Sequence, residues 1–371
     1  MMRRNVILLG IVSFLNDLSS EMIMPILPLF ITSVGGGSVA VGLIGGLRDG
    51  ISILLKVPAG IASDKFGKRK PLVTSGYFIS AVFKTLLAFS KNWQNILTFS
   101  SLERVGKGLR TAPRDAIIAE SMPKQLGRGF GIHRAMDTLG AVFGTSLAFI
   151  LFWYLGLNLK EIILIAGLIS FLSLIPLYFV KETKKGVCRQ SHFPLRKLSS
   201  DLRRRLAVVS MFAFANISYM FLILKAQQIC GALGIPILLY LLYNIFYAAF
   251  SAPFGKLSDK FGKKKILALG YLLFSLVMLG FAFVTKIYLL IILFSFYGIA
   301  IAIIDTNQRA FIAERANEAK ATVFGIFHTA VGIIAILTNI LAGFLWDFSS
   351  IVVFIYASAI GFVSSLLLKI L

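Results

Sequence analysis

The feature of this sequence that most constrains its fold is residues 162–180, a stretch of nineteen residues without a charged side chain. A helix of about 20 apolar residues crosses the hydrocarbon core of a bilayer. Similar stretches recur along the chain, in which 57% of the residues are hydrophobic and 15% are charged, whereas soluble proteins carry about 25% charged residues. Because a soluble core cannot bury this much apolar surface, the sequence predicts an all-α integral membrane protein.

The apolar stretches divide into twelve segments, and we predict one transmembrane helix for each. They lie near residues 5–34, 38–63, 71–90, 94–120, 129–155, 161–180, 205–229, 234–256, 266–285, 287–313, 320–345 and 349–368. Each is long enough to span a bilayer.

The net charge of +22 fits a nucleic-acid-binding protein only if the basic residues form a binding surface. If the N-terminus is cytoplasmic, the inner loops and segment ends hold 25 of the 38 Lys and Arg residues, and the outer loops hold three. The positive-inside rule predicts this asymmetry for a protein with both termini in the cytoplasm. We therefore expect a multi-pass protein of the plasma membrane, with the lipid bilayer and not nucleic acid as its partner.

The chain contains an internal repeat. Residues 58–70 and 253–265 share most of their amino acids, and their aspartates, Asp64 and Asp259, lie 195 positions apart. Two shorter matches share an offset of 194 positions. Duplicated halves with a substrate site between them are a frequent transporter design.

The offset defines the domains that we predict. An N-terminal six-helix half covers residues 1–180, a basic cytoplasmic linker covers 181–204, and a C-terminal six-helix half covers 205–371. The expected fold is therefore twelve transmembrane helices arranged as two pseudo-symmetric halves.

The repeated stretches resemble the loop signature of the major facilitator superfamily, which joins the second and third helices of that family. Each copy has a glycine, an aspartate four residues later, and a second glycine before a basic cluster. The matching residues are Gly60, Asp64, Gly67 and Arg69 in the first copy and Gly255, Asp259 and Gly262 in the second. The resemblance covers essentially the whole chain.

Weaker matches to the same family lie in the fourth and fifth segments. Arg104 and Gly108 are similar to the arginine-then-glycine pattern of its fourth helix. Gly140 and Gly144 look like its antiporter signature, but Thr145 stands where that signature has proline.

The resemblance implies a secondary active transporter that works by alternating access. Relatives with this kind of sequence look like proton-coupled exporters of drug-like molecules or metabolites, and the implied partners are a small-molecule substrate and protons. Two alternatives stay open: a proton- or ion-coupled uptake permease for a small charged metabolite, and a membrane receptor or scaffold that does not transport.

The loop signature has two physical interpretations. A carboxylate at Asp64 can accept hydrogen bonds from a neighbouring helix N-terminus or pair with an arginine, and such a conformational latch would hold the halves in one state. The alternative is a solvated, charge-rich turn that only orients the protein. We favour the latch, because the acidic residue recurs in both halves.

Charged residues within the predicted helices are candidates for function. Each would cost about 2.5–3.5 kcal/mol facing lipid at the bilayer centre, so they must face one another or an aqueous cavity. Candidates for proton coupling or the substrate cavity are Asp17, Glu21, Arg48, Asp49, Arg104, Lys107, Arg110, Arg114 and Asp115. The third, sixth, ninth and twelfth segments are expected to face lipid, and Lys84 is the only charge inside them.

Asp17 and Glu21 lie four residues apart and project from one face of the first helix near the bilayer midplane. Their proximity and burial favour a bound proton near neutral pH. The charged residues of the fourth helix fit an arc of about 140° on a helical wheel; they are Glu103, Arg104, Lys107, Arg110, Arg114 and Asp115. This stripe can be a proton relay, a site for a charged solute, or a static ion-pair network.

Other function classes lack their motifs. The nucleotide-binding loop of an ATP-driven pump is missing from the sequence, as are the metal and nucleophile motifs of membrane enzymes. We therefore expect that the protein is not an enzyme and that it has no cofactor and no metal site. We also expect it to be a monomer.

Overall fold

The computed structural model of the chain describes residues 2–122, 125–182, 200–314 and 320–370. The described residues form sixteen helices and no strand, as the composition predicts. Much of the predicted linker, residues 183–199, lies outside the described residues. The helices are Met2–Ile23 (α1), Leu27–Ser33 (α2), Ser38–Leu54 (α3), Lys56–Phe66 (α4), Lys70–Leu87 (α5), Trp93–Ser121 (α6), Leu126–Trp153 (α7), Leu159–Leu172 (α8), Leu174–Tyr178 (α9), Ser200–Ala213 (α10), Tyr219–Cys230 (α11), Gly234–Phe261 (α12), Lys263–Phe283 (α13), Ile287–Ala313 (α14), Lys320–Phe348 (α15) and Ser350–Ile370 (α16).

Nine helical segments in the described part of the chain are long and apolar enough to cross a membrane. They are Arg4–Ser33, Ser38–Lys65, Arg128–Trp153, Leu159–Tyr178, Gly234–Phe261, Lys263–Phe283, Ile287–Ile312, Gly325–Phe348 and Ser350–Ile370. The other three predicted spans are helical too, as α5, as α6 and as α10 with α11. These three spans are not counted among the nine, because α5 and α6 are more polar and α10 and α11 are short.

Four of the predicted spans are broken rather than continuous. Proline explains three of the breaks, because its ring clashes with the carbonyl four residues earlier and it has no N–H to donate. Pro25 lies between α1 and α2, Pro58 follows the end of α3 by four residues, and Pro176 follows the end of α8 by four. The break between α10 and α11 contains no proline. There the side chain of Ser218 caps α11 by accepting from the backbone N–H of Met220.

The chain divides into two compact units. The first consists of Met1–Ala40 and Leu47–Gln190, and the second of Val41–Gly46 and Ser191–Leu371. In the first unit α1 packs along α7 and α8, and α5 packs between α6 and α8. Glycines allow the closest contacts: a Cβ on Gly76 of α5 would lie 2.6 Å from the Gly106 carbonyl oxygen of α6.

The second unit has an aromatic core. In it α13 packs against α14 and α16, and α12 packs against α14. The rings of Phe212 and Tyr271 stack with centroids 3.9 Å apart, and Phe281 packs against Phe294 and Phe354. The Tyr271 hydroxyl accepts a hydrogen bond of 2.9 Å from the Gln308 side-chain amide. Large apolar side chains are exposed along many helices of both units, as a lipid-facing surface requires.

Gly140 and Gly144 let α7 lie directly against α1. A Cβ on Gly140 would lie 2.6 Å from the Phe14 carbonyl oxygen, and one on Gly144 would meet the carbonyl oxygen of Leu18. Small residues at this spacing permit close helix packing in membranes. Leu18 follows Asp17, so this contact fixes the part of α1 that carries the candidate carboxylates.

Replacing Gly144 with leucine is expected to separate α1 from α7, because its side chain has no space beside the Leu18 backbone. We expect the yield of folded protein to fall severalfold and the thermal unfolding temperature to drop by several degrees. Fluorescence-detected size-exclusion chromatography measures both. Gly131→Leu is the matched control, because nothing lies within 4 Å of a Cβ at Gly131. Equal behaviour of the two variants would contradict the packing role.

Candidate functional site

A buried ion cluster lies in the first unit and has Glu103 at its centre. Glu103 is 3% exposed, and the neighbouring Arg48 and Arg104 are each 4% exposed. Arg104 Nε lies 3.0 Å from Glu103 Oε2, and Arg48 Nη1 lies 3.7 Å from the same oxygen. One carboxylate oxygen thus lies close to two buried arginines.

The cluster lies beside the break in the first predicted span. Met24 lies in the turn between α1 and α2. Its sulfur accepts a hydrogen bond of 3.5 Å from Nη2 of Arg48 and another of 3.5 Å from Nη2 of Arg104. Arg48 comes from α3 and Arg104 from α6, so three parts of the unit meet here. Broken helices close to buried charges are typical of substrate and ion sites in transporters.

Asp17 and Glu21 lie one turn apart on α1, as predicted, and both are half-buried. The Asn16 side-chain amide donates a hydrogen bond of 3.2 Å to Asp17 Oδ1. The carboxylate that acts most strongly on Asp17 is Asp137 of α7, and the cations that act on it are Lys107, Arg110 and Arg114. Arg48 and Arg104 lie against Glu103.

The basic stripe of α6 separates into parts with different surroundings. Arg110 is buried against α5: its Nη1 donates a hydrogen bond of 2.5 Å to Ser80 Oγ, and its guanidinium lies 4.2 Å from the centre of the Tyr77 ring. Arg114 donates from Nε and Nη2 to the adjacent Asp115 at 3.0 and 2.9 Å. Arg110 therefore joins α6 to α5, and Arg114 has its counter-charge on its own helix.

Asp49 and Lys107 complete the predicted set. Asp49 is half-buried on α3, and the cations that act on it are Arg104, Arg48 and Lys107. Lys107 in turn is acted on by Asp17 and Glu103. These charges form one electrostatic network around α1, α3 and α6. Among the described residues, no group of three His, Cys, Asp or Glu side chains could hold a metal ion.

The first loop signature forms an ion-pair network at the end of α4. Gly67 ends this helix in the left-handed conformation, with φ of 62°, which glycine adopts without strain. Arg69 Nη2 then lies 3.2 Å from Asp64 Oδ1, and Arg69 Nη1 pairs with Glu120 at the end of α6. Of the partners expected for Asp64, the structure shows the arginine.

Glu182 adds a second contact to this loop. Its two carboxylate oxygens accept hydrogen bonds of 3.0 and 2.9 Å from the backbone N–H groups of Arg69 and Lys70. These donors lie at the start of α5, where free N–H groups favour a carboxylate. The loop is therefore connected to the ends of α6 and α9.

The second loop signature has different partners. Gly262 has φ of 93°, but Asp259 is exposed and lies in no ion pair with the described residues. The ion pairs here centre on Glu314, which contacts Arg205 at 3.0 Å and Lys263 at 3.7 Å. The glycines that open the two signatures do play similar roles, since Gly60 packs against Ala112 of α6 and Gly255 against Thr306 of α14.

Sequence analysis missed several residues of the site. Glu103, Lys84 and Asn16 were not among the predicted site residues, yet Glu103 lies against the two arginines and Asn16 is the hydrogen-bond donor to Asp17. Lys84 lies on a helix that was expected to face lipid, but its own side chain avoids lipid, as expected for a charge within a span, and is 2% exposed inside the first unit. Helical spacing gave the signal, because Lys84 shares a face of α5 with Gly76, Tyr77 and Ser80.

The family model described as Major Facilitator Superfamily matches residues 9–232 and 206–371 of the chain. An uncharacterized MFS-type transporter of Methanocaldococcus jannaschii is 50% identical, over 98% of this chain and 94% of that protein. Multidrug resistance protein MdtH of Salmonella newport is 25% identical, over 88% of this chain and 82% of that protein.

Solved structures of transporters share the fold. A variant of the peptide transporter POT in complex with sulfate has a TM-score of 0.82 at 14% identity, covering 98% of this chain and 93% of that one. A variant of the nucleoside transporter NupG has a TM-score of 0.80 at 15% identity, covering 99% and 98%. Because the family model matches nearly the whole chain and a relative is 50% identical along it, this multi-pass membrane protein belongs to the Major Facilitator Superfamily of transporters.

Proposed function

We propose that this protein is a secondary active transporter that exports a small drug-like or metabolite substrate in exchange for protons. The observation that carries the proposal is the buried Glu103–Arg48–Arg104 cluster beside the break between α1 and α2. A buried cluster of three charged side chains is costly, because each must leave water. Apolar residues packed in the same space would often give the protein equal or greater stability. We therefore assign these charges to ligand binding or ion coupling.

The transport cycle that we propose is alternating access by two six-helix halves, residues 1–180 and 205–371, with twelve spans in total. Such halves rock around a site near the bilayer midplane. The internal repeat supports this arrangement. A single chain is sufficient for it, so we propose a monomer.

Proton coupling is assigned to Asp17, with Glu21 as its neighbour one turn away. Asp17 is half-buried and has an anionic neighbour, Asp137, as well as cations on α6. Its two tolerable states are a protonated acid and an ion balanced by those cations. A change between them alters the local charge by one unit, so proton binding can bias the conformational equilibrium.

The substrate is the first thing to test. Purified protein in proteoliposomes with an imposed proton gradient would be screened with ethidium and other cationic dyes, nucleosides and dipeptides, since relatives and structural neighbours are named for multidrug resistance, nucleoside and peptide transport. We expect gradient-dependent movement of at least one class, abolished by a protonophore. Equal movement in protein-free liposomes would contradict the proposal. Movement out of the vesicle lumen only when protons enter it would support exchange, and movement with protons would favour an uptake permease.

Both termini are proposed to lie in the cytoplasm, because the basic residues concentrate in the loops on that side. Alkaline phosphatase fused after Leu371 is expected to be inactive, and green fluorescent protein at the same position to be fluorescent. The same two reporters fused after Gly156, in the loop between α7 and α8 that we place outside, are the matched control and should give the opposite result. An active phosphatase after Leu371 would overturn this topology.

The latch proposed for Asp64 predicts a transport defect without an insertion defect. In Asp64→Ala, Arg69 keeps its pair with Glu120, and acidic residues contribute little to membrane orientation. We therefore expect normal membrane levels and turnover slower by about fivefold or more, since conformational coupling energies are commonly 1–3 kcal/mol. Transport assays and distances between spin labels on the two halves measure the effect.

Asp259→Ala is the matched control, because Asp259 is exposed and forms no ion pair with the described residues. Its effect on turnover should be clearly smaller. If Asp64→Ala shows the distance distribution and turnover of the parent protein, Asp64 is only a turn residue.

A further inference from the structure

Lys84 is a buried ammonium group held by neutral oxygens. Its Nζ donates to the Asn16 backbone carbonyl at 3.1 Å and to Asn16 Oδ1 at 3.2 Å, and lies 3.3 Å from Ser19 Oγ and 3.4 Å from Ser170 Oγ. No carboxylate of the described residues forms an ion pair with it. The charge is therefore stabilised by dipoles from α1 and α8, while the carboxylates that act on it lie beyond direct contact.

The orientation of the Asn16 side chain follows from these contacts. An ammonium group can only donate hydrogen bonds, so the oxygen of the Asn16 amide must face Lys84. Its NH₂ group then faces Asp17, to which it donates at 3.2 Å. Asn16 thus connects the buried cation of α5 to the carboxylate of α1.

A small cavity lies on the other side of Lys84. It is lined by Ser20, Ile23, Arg48, Lys84, Leu87 and Glu103 and offers about 10 Å³ to the centre of a water molecule. About this volume holds one water. Both oxygens of Glu103 are buried and accept no hydrogen bond from the described residues, although Oε2 lies close to the arginines. The cavity therefore has a cationic donor, Lys84, and a carboxylate acceptor, Glu103, in its wall.

We propose that Asn16, Lys84 and one water molecule bound in this cavity form a continuous hydrogen-bonded path from Asp17 to Glu103. The inference rests on the proposed function, in which Asp17 carries the coupling proton. The path would transmit the charge state of Asp17 to the cluster of Glu103, Arg48 and Arg104. When Asp17 gains a proton, the Asn16 amide loses its anionic acceptor. Lys84 is then held less firmly toward α1, and its field on Glu103 changes.

The charged groups around Lys84 and Asp17 come from four helices, α1, α3, α6 and α7. Asp17 is acted on by Asp137 of α7 and by Lys107, Arg110 and Arg114 of α6. Lys84 is acted on by Glu103, Arg104 and Arg110 of α6 and by Asp17 of α1. Arg48 of α3 adds its charge at Glu103. Lys84 is thus a positioning residue between two carboxylates, and it touches neither.

Infrared difference spectroscopy across pH 5 to 9 tests the path without a known substrate, using purified protein in lipid nanodiscs. The carboxylic-acid band that disappears in Asp17→Asn belongs to Asp17. In Lys84→Met and in Asn16→Leu, we expect its titration midpoint to move to higher pH by about one unit, because a stabilising cation or donor has been removed. Lys84→Arg keeps the charge and should stay nearer the parent midpoint.

Lys225→Met is the matched control, since Lys225 is a half-buried lysine of the second unit and should leave the midpoint unchanged. A parent protein with no Asp17 band would overturn the assignment of Asp17 and the path with it. An Asp17 band whose midpoint is the same in the parent, Lys84→Met and Asn16→Leu would overturn the path alone and leave the proposed function standing.

Repeating the spectra in ¹⁸O water tests the bound water. We expect an isotope-sensitive O–H band in the parent that is lost in Glu103→Gln and in Lys84→Met and kept in Lys225→Met. The same band in all of these variants would overturn the water link between Lys84 and Glu103.

Discussion

Replacing Glu103 with glutamine is expected to destabilise the protein by about 3–5 kcal/mol, since removing one partner of a buried ion pair is strongly destabilising. Arg48 and Arg104 would remain in a site where each side chain is about 5% exposed. The thermal unfolding temperature should fall by roughly 5 °C in a chain of this size, and transport should be lost. Thermal unfolding in detergent and transport in proteoliposomes measure the two effects.

Two further variants isolate the cause. Adding Arg104→Gln to Glu103→Gln removes one of the two cations that lie against residue 103 and should recover part of the lost stability. Asp259→Asn removes an exposed carboxylate and should leave the unfolding temperature within about 1 °C. If Glu103→Gln unfolds at the parent temperature, the carboxylate is not the counter-charge of the arginines.

Replacing Asp17 with asparagine is expected to abolish gradient-driven accumulation and to keep substrate binding. The amide cannot take up a proton, so the conformational equilibrium loses its dependence on pH. The shape of the proposed substrate cavity changes little. Equilibrium binding across pH 5 to 9 should become independent of pH, and passive exchange should persist. Uptake or efflux with and without a pH gradient measures the loss.

Glu21→Gln is the matched variant one turn away on α1. If the two carboxylates share one proton, its defect should be milder, since the remaining carboxylate can still titrate. Equal and complete loss in both variants would contradict the assignment of a distinct role to Asp17.

The existence of the helices could be predicted from the sequence, because long apolar segments leave few alternatives in a membrane. Proline accompanies three of their breaks, at Pro25, Pro58 and Pro176. Proline alone does not predict a break, because α6 continues through Pro113 and α12 through Pro253. The break between α10 and α11 could not be predicted, because it depends on a cap by Ser218 and a hydrogen bond from its backbone N–H to Asn339. Such tertiary contacts leave no local pattern.

The charged residues of the site could be listed from the sequence, but their partners could not. A helical wheel gives the face on which Arg104 and Arg110 lie, and it does not show which neighbouring helix meets that face. Arg104 pairs with Glu103, and Arg110 binds Ser80 of α5. The spacing of Lys84 from Gly76 and Ser80 places it on the packed face of α5. Its partners could not be predicted, because Asn16 and Ser170 come from α1 and α8.

We propose that carboxylates on α1 couple protons to transport. The Asp17→Asn/Glu21→Gln double variant is the most direct test of this coupling. Proteoliposomes containing the parent protein or the double variant would be given the same pH gradient and the substrate identified by screening. The internal substrate concentration and the internal pH would be recorded together. We expect the parent protein to concentrate substrate with matched proton movement. The double variant should only equilibrate substrate across the membrane. A double variant that still concentrates substrate by using protons would contradict the claim and direct attention to Asp49 and Asp115.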